Sequence, residues 1–151
     1  YLNINPNTPA YQKEMKTTHN RFMYEWSKEA SNPVLITGHT HQPVFASLTH
    51  LERLYKKLIA AEKENNQQLI EKLKQEIDFR RNEYDYVAAN YMNMRPFYFN
   101  TGCCCFTDGD ITGIEIAEGM IRLVKWKNNE TSSQRMPLEQ MSLKELFENN
   151  L

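Results

Sequence analysis

The sequence predicts an α+β fold. Three observations carry this. Helical periodicity lies mainly in two stretches, near 9–31 and 49–83, with a short third after Ser142. Strand periodicity with tight-turn signals is gathered after residue 95. Between the helical stretches lies one short apolar run, residues 34–37, set between a proline and a glycine. Segregated helical and strand segments of this kind build α+β architectures.

Residues 1–8 are rich in Asn and Pro and read as loop. Thr8 followed by Pro9 is a helix start, with Thr as the capping residue and Pro in the first turn. Tyr11, Met15, Phe22 and Trp26 then recur at spacings of four and seven, which predicts one packed face of an amphipathic helix. Asn32-Pro33 ends it. Val34-Leu35-Ile36-Thr37 is continuously apolar and predicts a buried strand, and Val44-Phe45-Ala46 a further short one.

Thr49-His50-Leu51-Glu52 is a capping box that opens a long helical stretch. Leu51, Leu54, Leu58, Leu69, Leu73 and Ile77 form its apolar stripe, and Glu52 with Lys56 and Glu76 with Arg80 are i,i+4 pairs in the favourable order. The stripe breaks over residues 62–68, around Asn65-Asn66, which predicts two antiparallel helices.

After Arg95 the period becomes that of strands. Phe97-Tyr98-Phe99, Ile111 to Ala117 and Met120 to Trp126, with turn signals at Asp108-Gly109 and Glu118-Gly119, predict a three-stranded antiparallel meander. Residues 127–141 read as polar and irregular. Ser142 and Glu145 form a second capping box ahead of a short helix carrying Leu143, Leu146 and Phe147.

The 151 residues amount to one domain, 40% apolar and 25% charged. With 18 Lys and Arg against 19 Asp and Glu, nothing in the global charge points to nucleic acid or a membrane surface. No apolar run approaches the roughly 20 residues that span a bilayer. Cys103, Cys104 and Cys105 are consecutive, which does not make a secreted disulfide framework or a zinc-ligand spacing. A cytoplasmic protein with reduced thiols is expected. The chain opens on Tyr1, and a further upstream segment is an expectation of this reading.

His39 and His41 are the sharpest chemical feature. They follow directly on the apolar strand, where open α/β sheets collect ligands and reactive groups. On extended chain, residues i and i+2 share a side, with Cβ atoms roughly 7 Å apart. Two imidazoles so placed reach two metal ions about 3.5–4 Å apart. Gly38 permits a sharp exit from the strand, and Pro43 stiffens the return. His19 falls on a helix and His50 in a capping box, and both read as structural.

Val34 to Pro43, VLITGHTHQP, resembles the last metal-binding motif of the calcineurin-like metallophosphoesterases. Asn100-Thr101-Gly102 resembles that family's downstream Asn-Pro-Gly-Ser stretch, with Thr101 in place of Pro and Cys103 in place of Ser. The resemblance covers 34–46 and 96–126, and 48–92 reads as a helical insertion. It implies the C-terminal half of a two-sheet sandwich with flanking helices. It also implies two divalent ions (Mn, Fe or Zn), with His39 and His41 each binding one, and a phosphoester substrate. The family's Asp-x-His, Gly-Asp-x-x-Asp and Gly-Asn-His-Asp/Glu motifs are absent from these residues. Two ligands hold a metal weakly, so the chain alone is expected to be inactive.

Two rival readings exist. The hairpin at 48–92 could be a protein–protein interaction module with a vestigial metal site, and exposed sheet edges or the hairpin could support a homo-oligomer. Residues 52–83 hold eight Lys and Arg against seven Asp and Glu, which fits a solvated face or a protein contact. Tyr91, Phe97, Tyr98 and Phe99 could stack on bases, but such a cluster more often enters a core, and nucleic acid is disfavoured.

Overall fold

The computed structural model describes residues 13–29, 34–38, 40–102, 109–129 and 132–148. The chain runs α1 (Lys13–Glu29), β1 (Leu35–Thr37), β2 (Val44–Phe45), β3 (Leu48–Thr49), α2 (His50–Lys63), α3 (Gln67–Arg80), β4 (Tyr98–Asn100), β5 (Ile111–Ala117), β6 (Met120–Asn129), β7 (Ser132–Ser142) and α4 (Leu143–Glu148). Single 3-10 turns at Arg81–Glu83 and Tyr91–Asn93 lie between α3 and β4. The fold is mixed α+β with two sheets, as the segregated periodicities predict.

The first sheet has the order β1-β4-β2-β3, with β1 and β4 parallel. The second is the antiparallel meander β5-β6-β7. Alternation along β4 decides how these layers meet. Tyr98 packs with Val44 and Tyr24, a residue of α1, on one face. Phe99 points the other way, into a core with Phe45, Ile121, Leu123 and Leu146. Phe45 and Phe99 meet edge to face, with centroids 5.2 Å apart. One face of the first sheet therefore carries α1, and the other packs on the second sheet, with α4 closing the end.

Three sequence expectations are corrected here. Tyr98–Asn100 belongs to the first sheet, not to the meander. The third meander strand is β7, inside the segment read as irregular. β7 is mostly exposed along its length, so it shows no alternation to read. It also carries Pro137, which sits at the β6–β7 register shift beside Leu123/Val124, on an edge strand where a missing N–H is tolerated. Finally, α1 buries Asn20, Tyr24 and Ser27, whereas Phe22 and Trp26 are 42% and 50% exposed. The sheet surface beneath α1 is mixed: Val44 and Tyr98 pack on Tyr24 while the Tyr98 phenol bonds Asn20, so hydrogen-bonding partners as well as hydropathy select the buried face. The predicted helix start at Thr8-Pro9, Tyr11, Asp108 and the three cysteines lie outside the described residues.

The strand predicted at 44–46 is half of a β2–β3 hairpin. Its two-residue turn, Ala46-Ser47, has φ of 52° and 66° without glycine. Ser47 offsets that strain. Its hydroxyl donates to the Arg95 carbonyl and accepts from the amides of Phe97 and Tyr98, at 3.1 and 3.0 Å.

The predicted helical hairpin is present. Thr49 caps α2 in a complete capping box with Glu52. Asn65 takes the left-handed turn at φ 55°, and the Asn66 side chain caps α3. The stripe is the hairpin's own core: Leu51, Leu54, Ala61, Ile70, Leu73 and Ile77 are buried against one another. Ile70 replaces the expected Leu69, which is 38% exposed. The predicted i,i+4 pairs are rearranged. Glu76 meets His50 and Arg80 meets Glu83. The Glu52 carboxylate, buried in the chain, accepts from Thr49 and from the Ala88 amide. Among the described residues no helix is long and apolar enough to cross a membrane.

Candidate functional site

The chain leaves β1 at Gly38 and returns to β2 at Pro43. A Cβ on Gly38 would stand 3.1 Å from the Thr101 hydroxyl, a tight contact that glycine avoids where the loops after β1 and β4 approach. The Thr101 amide donates to the Thr37 carbonyl, at 2.9 Å, and extends the parallel pairing into these loops. At Gly102 φ is +81°, and an added Cβ would lie 2.6 Å from Pro43 Cγ. The two loops are thus fitted to one another at both ends.

Beneath them lies a buried polar network. Tyr98 donates its phenol proton to Asn20 Oδ1, and Asn20 Nδ2 donates to Gln42 Oε1, at 2.9 and 3.1 Å. With that proton committed, the Thr37 hydroxyl donates to the Tyr98 oxygen. Burial pushes the Tyr98 phenol above its ordinary pKa, against the pull of its bonds from Thr37 and Asn100, so it remains a donor. Asn100 is fully buried. Its Nδ2 lies within reach of Thr40 Oγ1, the Tyr98 oxygen and Asn20 Oδ1, three acceptors for two protons. Its Oδ1 accepts from the Gly102 amide.

This network grips the loop on both sides of His41. Thr40 is held by Asn100, Gln42 is held by Asn20, and both are buried. His41 between them has φ +54°, in the left-handed region, and is half-buried. That conformation costs a non-glycine residue about 1–2 kcal/mol and persists where its neighbours over-determine it. His39 lies outside the described residues, so the structure positions His41 and the loop but not the pair.

His41 opens onto a groove of about 700 Å³ between α1, the helical hairpin and the second sheet. Lys16, Arg53, Lys57, Lys72, Arg80 and Lys125 line it, against Glu76, Glu83 and Glu139. Glu139 is shared by Arg53, at 3.1 Å, and Lys57, at 2.8 Å. Burial lowers the pKa of the Arg53 guanidinium, and Glu139 works against this. On the same wall, burial and then Arg53 lower His50, while Glu76 opposes, which leaves its imidazole neutral near pH 7. Burial raises the Tyr84 phenol to about 12.

Among the described residues, no three His, Cys, Asp or Glu side chains form a metal-holding group. His41 alone does not hold a divalent ion, so the donors described at this loop are part of a metal site at most. His19, on α1, is half-buried, and His50 is tied to Glu76. Sequence reasoning missed Asn20, Thr40, Gln42 and the groove's cations. Single amides and lysines carry no periodic signal, and only the fold brings them together.

The chain matches no protein-family model, no curated protein and no solved structure.

Proposed function

We propose that this chain is part of a metal-dependent phosphoester hydrolase, and that His39 and His41 are two of its metal ligands. The observation that carries the reading is His41 itself. A strained histidine is locked between two buried, hydrogen-bonded neighbours at the C-terminal end of a parallel strand. Observed strain of this kind clusters at functional sites. Divalent manganese, iron or zinc would supply Lewis-acid chemistry for phosphoryl transfer. The role of this chain is to fix the loop so that its imidazoles do not reorganise.

The reading requires further ligands from outside these residues, in the same cytoplasmic protein. β1 is where such a segment can join. Among the described residues it is an edge strand, and Ile36, in register beside Phe99, is 41% exposed on the face that elsewhere carries the inter-sheet core. A continuously apolar strand left at an edge invites pairing. The rival role for the helical hairpin, as a partner-binding surface, loses its main support because the stripe is consumed internally.

The test uses the protein with its complete metal site. Replacing His39 or His41 by Ala should lower bound metal, measured by elemental analysis. Turnover of p-nitrophenyl phosphate or its diester should fall by about 100-fold or more, the scale of a lost positioning group. Unchanged turnover and metal content in both variants would sink the assignment.

A further inference from the structure

The groove beside His41 is out of balance with the rest of the chain. The whole chain carries a net charge of −1, yet six of its 18 Lys and Arg line this one groove against three of its 19 acids. With Lys125 offset from outside the groove by Asp110, the Lys and Arg of the wall exceed its acids by two positive charges. Three acids do not discharge it, since Glu139 already serves two cations. Lys125 is held from outside the groove, by Asp110 at 2.6 Å.

The remaining wall is rich in leucine, with Gln42 and Tyr84 as uncharged polar side chains. Leu69 and Leu138 are 38% and 41% exposed, which is a solvation cost that a ligand's apolar body would relieve. The volume of about 700 Å³ falls within the range for organic ligands, roughly 300–1,000 Å³, and far exceeds a bare phosphate ion. The acids set among the cations also interrupt any continuous track for a phosphodiester backbone.

We propose that this groove binds an amphipathic organic phosphate, with its anionic group on the lysine and arginine side chains and its apolar body against Leu69 and Leu138. Its placement beside His41 makes it the substrate-selecting side of the site, and that part rests on the phosphoester reading above. Binding in the groove does not.

The experiment measures 1-naphthyl phosphate binding to this chain by calorimetry, in EDTA, with inorganic phosphate and phenyl phosphate for comparison. The naphthyl ester should bind about ten-fold tighter than inorganic phosphate, a difference of about 1.4 kcal/mol. Lys72→Glu, at an exposed position of α3, should weaken it by about ten-fold. Lys56→Glu, exposed on α2 but off the groove wall, should change it less than about two-fold. Leu138→Ser should remove the preference for naphthyl over phenyl. No binding, equal affinity for inorganic phosphate, or equal effects of the two lysine reversals would overturn the proposal. Because EDTA removes metal, failure of the His39 and His41 variants to lose activity would refute the hydrolase reading and leave this result intact.

Discussion

At the scale of single residues, the molecule spends buried amides to hold one loop. Asn100 is the hub: removing it orphans the Gly102 amide and takes one bond from Thr40, whose hydroxyl still donates to the Gln42 carbonyl. Asn100→Ala should therefore cost roughly 2–3 kcal/mol, read as a fall in the urea midpoint with unchanged slope. Two glycines separate strain from contact. At Gly119 φ is +71° and an added Cβ meets nothing within 4 Å, so Gly119→Ala should cost about 1 kcal/mol from backbone strain alone. Gly102→Ala adds collisions with the Thr112 hydroxyl and Pro43 and should cost clearly more; equal losses would show that both contacts yield freely. His50 predicts a pH dependence. Its folded pKa lies below the ordinary 6.5, so the unfolded chain binds the proton more readily. Stability from this residue is present above pH 6.5 and is lost as pH falls toward the folded value. His50→Gln should flatten the stability profile on the acid side of pH 6.5. At this scale the loop that carries His41 was legible, as the segment between one strand and the next, because the strand, glycine and proline around it form a pattern. The amides beneath it were not, because which polar residue finds a partner depends on contacts distant in sequence.

At the scale of elements, capping was the most readable feature. Thr49 and Glu52 form the expected box, but Glu52 also accepts the Ala88 amide and so pins the segment that leads from α3 toward β4. Thr49→Ala should cost about 1 kcal/mol, the usual loss of a cap. Glu52→Ala should cost more, and hydrogen exchange should quicken at Ala88. Protection at Ala88 unchanged in Glu52→Ala would show that this second bond is not structural. The unread elements share a cause. The Ala46-Ser47 turn lacks the glycine or asparagine that marks such hairpins, since Ser47 supplies its stabilisation through bonds to a segment some 50 residues away, as in Phe97 N–H to Ser47 Oγ, |i−j| = 50. β7 lacks alternation because neither of its faces is deeply buried, and Pro137 argued against a strand without being able to show an edge. Sequence patterns report burial, and an exposed edge strand has little burial to report.

At the scale of the whole molecule, α+β architecture followed from where the two periodicities lie, but the assignment of strands to sheets did not. That assignment turned on the parallel pairing of β1 with β4, which no local signal announces. The same pairing has a consequence for how the chain reaches its structure. Residues near 36 must meet residues near 99, with the helical hairpin enclosed between them. Closing so long a loop is entropically slow, whereas adjacent helices find each other in microseconds. A hairpin already formed shortens the path the loop has to search. Leu73→Ala, which opens the hairpin core at a cost of about 3 kcal/mol, should then slow refolding as well as lower stability. Ile121→Ala, in the later inter-sheet core, should mainly quicken unfolding. Stopped-flow chevrons of the two variants would show the contrast in opposite arms. In this view the hairpin is the chain's timing element: it sets when the first sheet can close, and so when the histidine loop comes into being.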